Sequence, residues 1–391
     1  MAVDQEQLTA ALGAIVEPEL GLPLSQIGFL REVRTRRRRA RIEVALPVAA
    51  WPGSDELADE IHRVALSTSG VEEIEFDLTV MTDEERAVLR TTLRATMLGD
   101  SAAHDHGSAD DGHGGHGHGH GDESATAAFL QPESTTRVIG VSSGKGGVGK
   151  STVTVNLAIA LAQAGYNVGL LDADVYGFSV PKMIGADHDP IILGDVVLPT
   201  AAHGVRCLSM GYFVPDDQPV IWRGPMLHKA IQQFLTDAYW GQPDFVLVDM
   251  PPGTGDVALT LAQVMPRAEV IVVTTPQPAA QRVAQRSAFA ARRLKLSVRG
   301  VVENMSWFTG DDGARYELFG AGGGATLAAD LGVPLFGQVP LVNAVRQGGD
   351  DGRPIVVYDP QSETAQAFRS IANKLSALGP ARVYRKELSL S

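Results

Sequence analysis

The sequence predicts an α/β fold, a mostly parallel β-sheet covered by helices, preceded by a small α+β domain. Three observations carry the prediction. From Arg137 onward, apolar runs of strand length alternate with helical segments, the pattern of a parallel sheet with helices packed on it. The first of those runs, Val138 to Val141, leads straight into Ser142-Ser-Gly-Lys-Gly-Gly-Val-Gly-Lys-Ser-Thr152, a glycine-rich loop ahead of an Ala/Leu helix. Residues 1–98 hold a shorter alternation of helix and strand patterns, and the total of 391 residues exceeds one average domain.

Composition narrows the class. Hydrophobic residues make up 44% of the chain, yet no apolar run is long enough to span a bilayer, so no membrane partner is expected. Met1-Ala-Val-Asp-Gln-Glu lacks the basic and apolar regions of a signal peptide, and the single cysteine, Cys207, excludes intrachain disulfides. Both features fit a reducing, cytoplasmic setting. A net charge of −13 speaks against broad nucleic-acid binding, which rests on phosphate neutralisation.

In the first domain, residues 1–98, a helix is expected around Glu6 to Ile15, then a turn at Pro18-Glu-Leu-Gly-Leu-Pro23. Ile27 to Val33 and Ala40 to Leu46 have period-two patterning around Arg34-Thr-Arg-Arg-Arg-Arg39, which predicts a hairpin with that run at its tip. The arginines fit either a nucleic-acid arm or a solvated tip, and the acidic total favours the tip. Helix Asp55 to Leu66, strand Val71 to Val80 and helix Asp83 to Leu98 complete the unit, in which no catalytic cluster stands out. From 99 to 133 the chain turns to Gly, His, Asp, Ser and Ala. Such a segment has too little apolar surface to offset chain entropy and is expected to be a disordered linker. Its histidines, His104 and His106 followed by His113, His116, His118 and His120, could ligate a transition metal, or form a polar spacer that binds metal incidentally.

The third domain, residues 134–380, carries the chemistry, and 381–391 form a tail. Its expected strands are Val138 to Val141, Val168 to Leu171, Phe245 to Asp249, Val270 to Thr274, Gly300 to Glu303 and Leu335 to Val339. Ligands of such sheets collect at the carboxyl ends of the strands. There, Gly144, four residues, then Gly149-Lys150-Ser151 has the Walker A spacing, which makes the domain a P-loop NTPase. Gly144, Lys145, Gly146, Gly147, Val148 and Gly149 can turn their N–H groups toward phosphates, and the helix from Lys150 adds the positive end of its dipole. Lys150 is expected at the β/γ-phosphates and Ser151 on Mg²⁺, with Thr152 closing the motif. Asp172-Ala-Asp174 leaves the second strand with two carboxylates, one able to act on an attacking water and one to stand in the outer Mg²⁺ shell. Asp249 ends an apolar strand, as a Walker B carboxylate does, and can hold Mg²⁺ through water or bond Ser151. The following Pro-Pro-Gly-Thr-Gly turn can sense a γ-phosphate through the Gly253 N–H. Ile221-Trp-Arg-Gly-Pro-Met226 precedes a helix whose Met226, Ile231, Phe234 and Leu235 form an apolar face, with Trp222 and Arg223 open to a partner or half-buried. Asn304 offers a donor and an acceptor to a purine edge, or caps a turn. The last helix, Thr364 to Leu378, reads as core-facing through Phe368, Ile371, Leu375 and Leu378.

With its extra Lys145, the loop resembles the deviant Walker A of the MinD/ParA/nitrogenase-iron-protein class. Asp172-Ala-Asp-Val-Tyr-Gly, Trp222-Arg-Gly-Pro-Met, Asp249-Met-Pro-Pro-Gly-Thr-Gly-Asp and Glu303-Asn-Met-Ser then make residues 135 to 380 resemble the Mrp/ApbC iron–sulfur cluster carrier ATPases. The first domain is similar to the small domain fused ahead of many such proteins. The resemblance implies ATP and Mg²⁺ on Gly144 to Thr152, Asp174 as the residue positioning water, and Gly253 as the switch glycine. It further implies Asn304 at the adenine and Lys145 reaching across a homodimer to the partner's nucleotide. It also implies an iron–sulfur cluster as cargo for apo-protein clients. The chain departs from the family where a Cys-x-x-Cys pair usually follows Asn-Met-Ser: here Trp307-Phe-Thr-Gly-Asp-Asp-Gly313 follows, without cysteine. The small domain's usual cysteine is replaced by Ala50-Trp51-Pro52. Clusters are held mainly by four thiolates, and a homodimer offers two copies of Cys207.

A dimeric, ATP-hydrolysing switch in iron–sulfur or metal-centre assembly is the leading expectation. A positioning ATPase of the MinD/ParA type would use the same loop but need a basic amphipathic tail or a DNA-binding surface. A metallochaperone would use the His tract as its store, and a non-hydrolysing scaffold would bind nucleotide for structure alone.

Overall fold

The computed structural model describes residues 4–68, 70–99, 127–175, 177–186, 188–213, 224–253, 255–310 and 312–381. These divide into two compact units, residues 4–99 with Ile192–Leu198, and residues 127–191 with 199–381. His113, His116, His118 and His120, the pair Trp222 and Arg223, and the tail from 382 lie outside the described residues.

The smaller unit contains α1 (Gln5–Gly13), β1 (Leu30–Arg36), β2 (Arg39–Leu46), α2 (Ser54–Ser67), β3 (Glu73–Val80) and α3 (Asp83–Leu98). β1 and β2 are antiparallel, and β3 lies parallel to β2. The apolar Ile27 does not begin the first strand. Leu24–Ile27 form a helical turn closed by Gly28 at φ 70°, a left-handed conformation glycine adopts without steric cost, and the strand starts at Leu30. The expected arginine tip is also shorter, because Arg36 pairs with Arg39 and only Arg37 and Arg38 turn. Of the rest, Arg39 lies on its strand beside Glu73 at 2.5 Å, as Arg41, beyond that run, does beside Asp77 at 3.0 Å. Cross-strand placement thus pairs the charges the sequence had put at a tip. α3 opens with a capping box between Thr82 and Glu85. Arg31 also bonds Glu85 and holds its carboxyl down at about 2, aided by the Thr82 N–H. At the position of the family's usual cysteine, Trp51 is buried. Its Nε1 donates to Glu17 at 2.9 Å and its ring meets Phe29 edge-on.

In the larger unit the described chain begins before the expected boundary. Ala128–Leu130 form a short turn with Phe129 and Leu130 buried, and Arg267 donates to the carbonyls of Gln131 and Ser134. Two aromatic and aliphatic side chains at the end of the His/Gly tract therefore belong to this unit and not to the linker.

The main sheet comprises β4 (Arg137–Ser143), β5 (Val168–Asp172), β6 (Thr200–Ala202), β7 (Val205–Ser209), β8 (Phe245–Asp249), β9 (Glu269–Thr274), β10 (Ser297–Asn304) and β11 (Leu335–Val339). Their order is β6-β7-β5-β8-β4-β9-β10-β11. All neighbours are parallel except the edge pair β6 and β7. The mostly parallel sheet agrees with the expected fold, while β6 and β7 were not expected: β6 has only three residues, and Arg206 interrupts the apolar run of β7. Helices α4 (Lys150–Gln163), α5 (Gly224–Thr236), α6 (Asp256–Val264), α7 (Pro278–Arg293), α8 (Gly323–Leu331), α9 (Asn343–Asp350) and α10 (Glu363–Ser376) accompany it. α4 and α10 share one apolar core with the sheet, in which Phe368, Ile371 and Leu375 are fully buried, as read from the sequence. Each such side chain contributes roughly 1.5–3 kcal/mol on burial. On α5, Ile231 and Leu235 are buried but Met226 is exposed, so the apolar face begins at Leu227.

Candidate nucleotide-binding site

Strand register assembles the site. Asp249 ends β8 opposite Asp172, the last residue of β5, which in turn is opposite Ser209 at the end of β7. On the other side, Asp249 is level with Val141, so the loop leaving β4 passes beside it. Two carboxylates and the glycine-rich loop meet because three apolar strands end at one level, the place where parallel sheets gather their ligands.

Gly149 stands at φ 77° as the residue before α4. Any larger side chain would fail there twice, since a Cβ would also lie 2.2 Å from Asn304 Nδ2. α4 then delivers three side chains to Asp249. Lys150 Nζ and Ser151 Oγ each donate to Asp249 Oδ2 at 2.6 Å, and Thr154 Oγ1 donates to Oδ1 at 2.7 Å. Lys150 also lies 3.6 Å from Asp174. Thr154 was not singled out in the sequence, although its spacing of four from Lys150 puts it on the same helix face.

Asp172 is fully buried and held by neutral donors, with Oδ1 accepting from the Asp174 N–H at 3.1 Å and Oδ2 from Ser209 Oγ at 3.0 Å. Burial first, and the Asp249 carboxylate second, push its carboxyl up to about 7. Of the pair in Asp172-Ala-Asp174, Asp174 is the one beside the lysine, and Asp172 is enclosed in the sheet.

The remaining residues divide. Lys145, Gly146 and Gly147 are exposed on the loop, and Lys145 has no ion-pair partner among the described residues. The Gly253 N–H, expected to face a phosphate, donates to Ser143 O at 2.8 Å, and its carbonyl accepts from Ser287 Oγ at 3.0 Å. Asn304 joins the loop: its Nδ2 donates to Val148 O at 2.9 Å. Beside them lies a cavity of about 210 Å³ lined by Gly149, Thr152, Asn304, Met305, Pro340 and Val345, among others.

Cys207 does not belong to the site surface. It lies on β7 opposite Leu170, fully buried in the apolar core, and burial, with Asp172 and Asp249, pushes its thiol well above the ordinary range. Metal ligation needs the thiolate, so the two cysteines that a dimer was expected to offer a cluster are reduced to none.

Residues 134–376 match the family model described as ParA, NUBPL iron-transfer P-loop NTPase, which covers well over half of the chain. The chain belongs to this P-loop ATPase family. Residues 5–76 match a second model, of an iron-sulfur cluster assembly protein. Among curated relatives of the family, the iron-sulfur cluster carrier protein of Mycobacterium bovis is 42% identical over 376 residues, 94% of this chain and 92% of the relative. A solved nucleotide-binding protein from Archaeoglobus fulgidus in complex with ADP is 32% identical, with a TM-score of 0.51 over 59% of this chain and 91% of that one. The cell division ATPase MinD of Pyrococcus furiosus is 25% identical, with a TM-score of 0.50 over 62% of this chain and 99% of its own. Within this family the present chain is a nucleotide-dependent ATPase whose larger unit has the fold of MinD. Among the described residues no helix is long and apolar enough to cross a membrane, and no cluster of His, Cys, Asp and Glu is arranged to hold a metal.

Proposed function

We propose that the protein is a cytoplasmic homodimeric ATPase switch that carries or assembles iron–sulfur clusters for apo-protein clients. The observation that carries the reading is the convergence of Lys150, Ser151 and Thr154 on Asp249 at the end of β8, within a chain whose relatives are named iron-sulfur cluster carriers. Ser151 and Asp249 present hard oxygen donors 2.6 Å apart, a set that suits Mg²⁺. Ser151 and Asp249 would hold the ion there, and it would supply charge neutralisation to the phosphates as they react. The residues divide the remaining work. Lys150 leaves Asp249 for the β/γ-phosphates, and that departure frees Asp249 for the metal. Asp174, left by the lysine, orients the attacking water. Gly253 exchanges Ser143 O for the γ-phosphate, so hydrolysis returns its N–H to Ser143. Asn304 meets the adenine, and Lys145, free on the loop surface, reaches the partner subunit's nucleotide.

The cluster is cargo. With Cys207 sealed in the core, the described residues supply no thiolate, so this reading places cluster ligation on groups outside them or on the client itself.

Turnover of Mg·ATP by the purified full-length chain tests the proposal. Lys150→Ala and Asp174→Ala are each expected to lower it by at least about a hundredfold. Absence of any ATP binding by the unaltered protein would overturn the reading.

A further inference from the structure

Besides Asp172 and Asp249, a third fully buried carboxyl group in this unit has no part in the phosphate chemistry. Glu303 is the next-to-last residue of β10 and has no exposed surface. Its Oε1 accepts from Ser306 Oγ at 2.9 Å and from Gln338 Nε2 at 2.6 Å, and its Oε2 accepts from the Gly324 N–H. Three separate segments are thereby fastened to one side chain: the turn after β10, the neighbouring strand β11 and the first turn of α8. Gly324 is built for this approach, because a Cβ there would lie 2.6 Å from the Cβ of Glu303. A carboxyl group enclosed this way must be matched donor by donor, and here neutral donors from three directions do so.

The turn held by Glu303 is the one that forms the cavity beside the phosphate loop. Asn304 and Met305 both line that cavity, and Met305 stands at φ 56°, a left-handed conformation that a non-glycine residue keeps only when its surroundings fix it. Ser306 closes the turn through its N–H to Val339 O and its hydroxyl to Glu303. One N–H of the Asn304 amide is committed to the Val148 carbonyl, which can only accept, so the amide orientation is determined, and among the described residues nothing donates to Oδ1. An acceptor at that point suits a base bearing an exocyclic amine, such as adenine, and repels one bearing a carbonyl at the same position, such as guanine.

We infer that Glu303 is a positioning residue for base selectivity, locking the Asn304–Ser306 turn so that the Asn304 amide presents its oxygen to the nucleotide base. The inference rests on Asn304 meeting the base, and it adds that a residue not touching the nucleotide decides how strictly the base is read.

The test uses the full chain and equilibrium binding of ADP and GDP, with kcat and KM for ATP alongside. Glu303→Gln keeps the volume but replaces one acceptor oxygen by a donor among donors. It is expected to reduce the preference for ADP over GDP by about tenfold, almost wholly through weaker ADP binding. KM for ATP rises while kcat at saturation stays within about twofold. Ser306→Ala, which removes one tie and leaves Glu303 in place, is expected to shift the preference in the same direction by about threefold, and serves if Glu303→Gln does not fold. Combining Glu303→Gln with Asn304→Ala should cost no more selectivity than Asn304→Ala alone. Equal losses for ADP and GDP, or additive losses in the double variant, would show a merely structural carboxyl and overturn the inference. If Asn304→Ala itself leaves the preference unchanged, the base contact and this inference both fall; if only the Glu303 and Ser306 variants leave it unchanged, this inference alone falls.

Discussion

Asp249 and Glu303 lie near the ends of two parallel strands of one sheet, and both are fully buried, yet they are surrounded in different ways. Asp249 is met by an ammonium and two hydroxyls from a single helix, α4, which begins at the phosphate loop. Glu303 is met by an amide, a hydroxyl and a backbone N–H from three segments. In the proposed mechanism the first arrangement contains a partner that leaves, a phosphate taking Lys150 and a divalent cation taking its place on the carboxylate. The second contains none, since every donor is tied into strand, turn or helix start. Burial alone therefore does not identify a working carboxylate. The mobility and charge of its partners do.

The comparison can be broken at either end. The largest effect is expected at Asp249: Asp249→Asn keeps the shape and removes the charge that holds Lys150 and that the proposed mechanism gives to Mg²⁺. Steady-state hydrolysis should fall by at least about a hundredfold and lose its dependence on Mg²⁺. Retention of Mg²⁺-dependent turnover would place Asp249 in the same class as Glu303.

A smaller effect concerns Asp172, which faces Asp249 across the sheet and is raised to about 7 by burial and by that neighbour. In the unfolded chain it titrates near its ordinary value of about 3.9. Between these values the folded protein holds a proton that the unfolded chain has released, so this group's contribution to stability falls as pH rises from about 4 to about 7 and is level above. Asp172→Asn removes that slope. In metal-free buffer its urea midpoint, relative to the unaltered protein, should rise from about pH 5 to about pH 7 and then stay constant. A difference independent of pH would mean that Asp172 is charged in the fold throughout.

Much of this architecture could be read from residues alone, and the parts that could not share a cause. Phe245–Asp249 and Leu335–Val339 are apolar runs ending at clear breaks, and their bounds agree with the structure. Ile27 to Val33 is equally apolar, but Gly28 divides it between a helical turn and a strand. The short edge strand β6 and its neighbour β7, interrupted by Arg206, have no pattern of their own. At the site, the phosphate loop and Asp249 are local motifs, and so were legible. Ser209 reaches Asp172 from another strand and Glu303 gathers donors from three segments, relations that no spacing announces, while Thr154 had only its spacing of four from Lys150 as a signal. A partial signal existed for Glu303, a charged residue within the apolar run Gly300-Val-Val-Glu303, where burial without a partner would be prohibitive. Cysteine counting gave two thiols per dimer, and only the register of β7 against β5 shows that neither is available.

The exchange of partners at Asp249 is the central claim, and the position of Lys150 in a crystal structure of the Mg·ATP-analogue complex tests it most directly. Lys150 Nζ, now 2.6 Å from Asp249 Oδ2, is predicted to move beyond ion-pair distance, about 4 Å, onto the phosphates, with Ser151 and Asp249 turned to the metal. A complex in which the lysine stays on Asp249 while nucleotide and metal are bound would contradict the account.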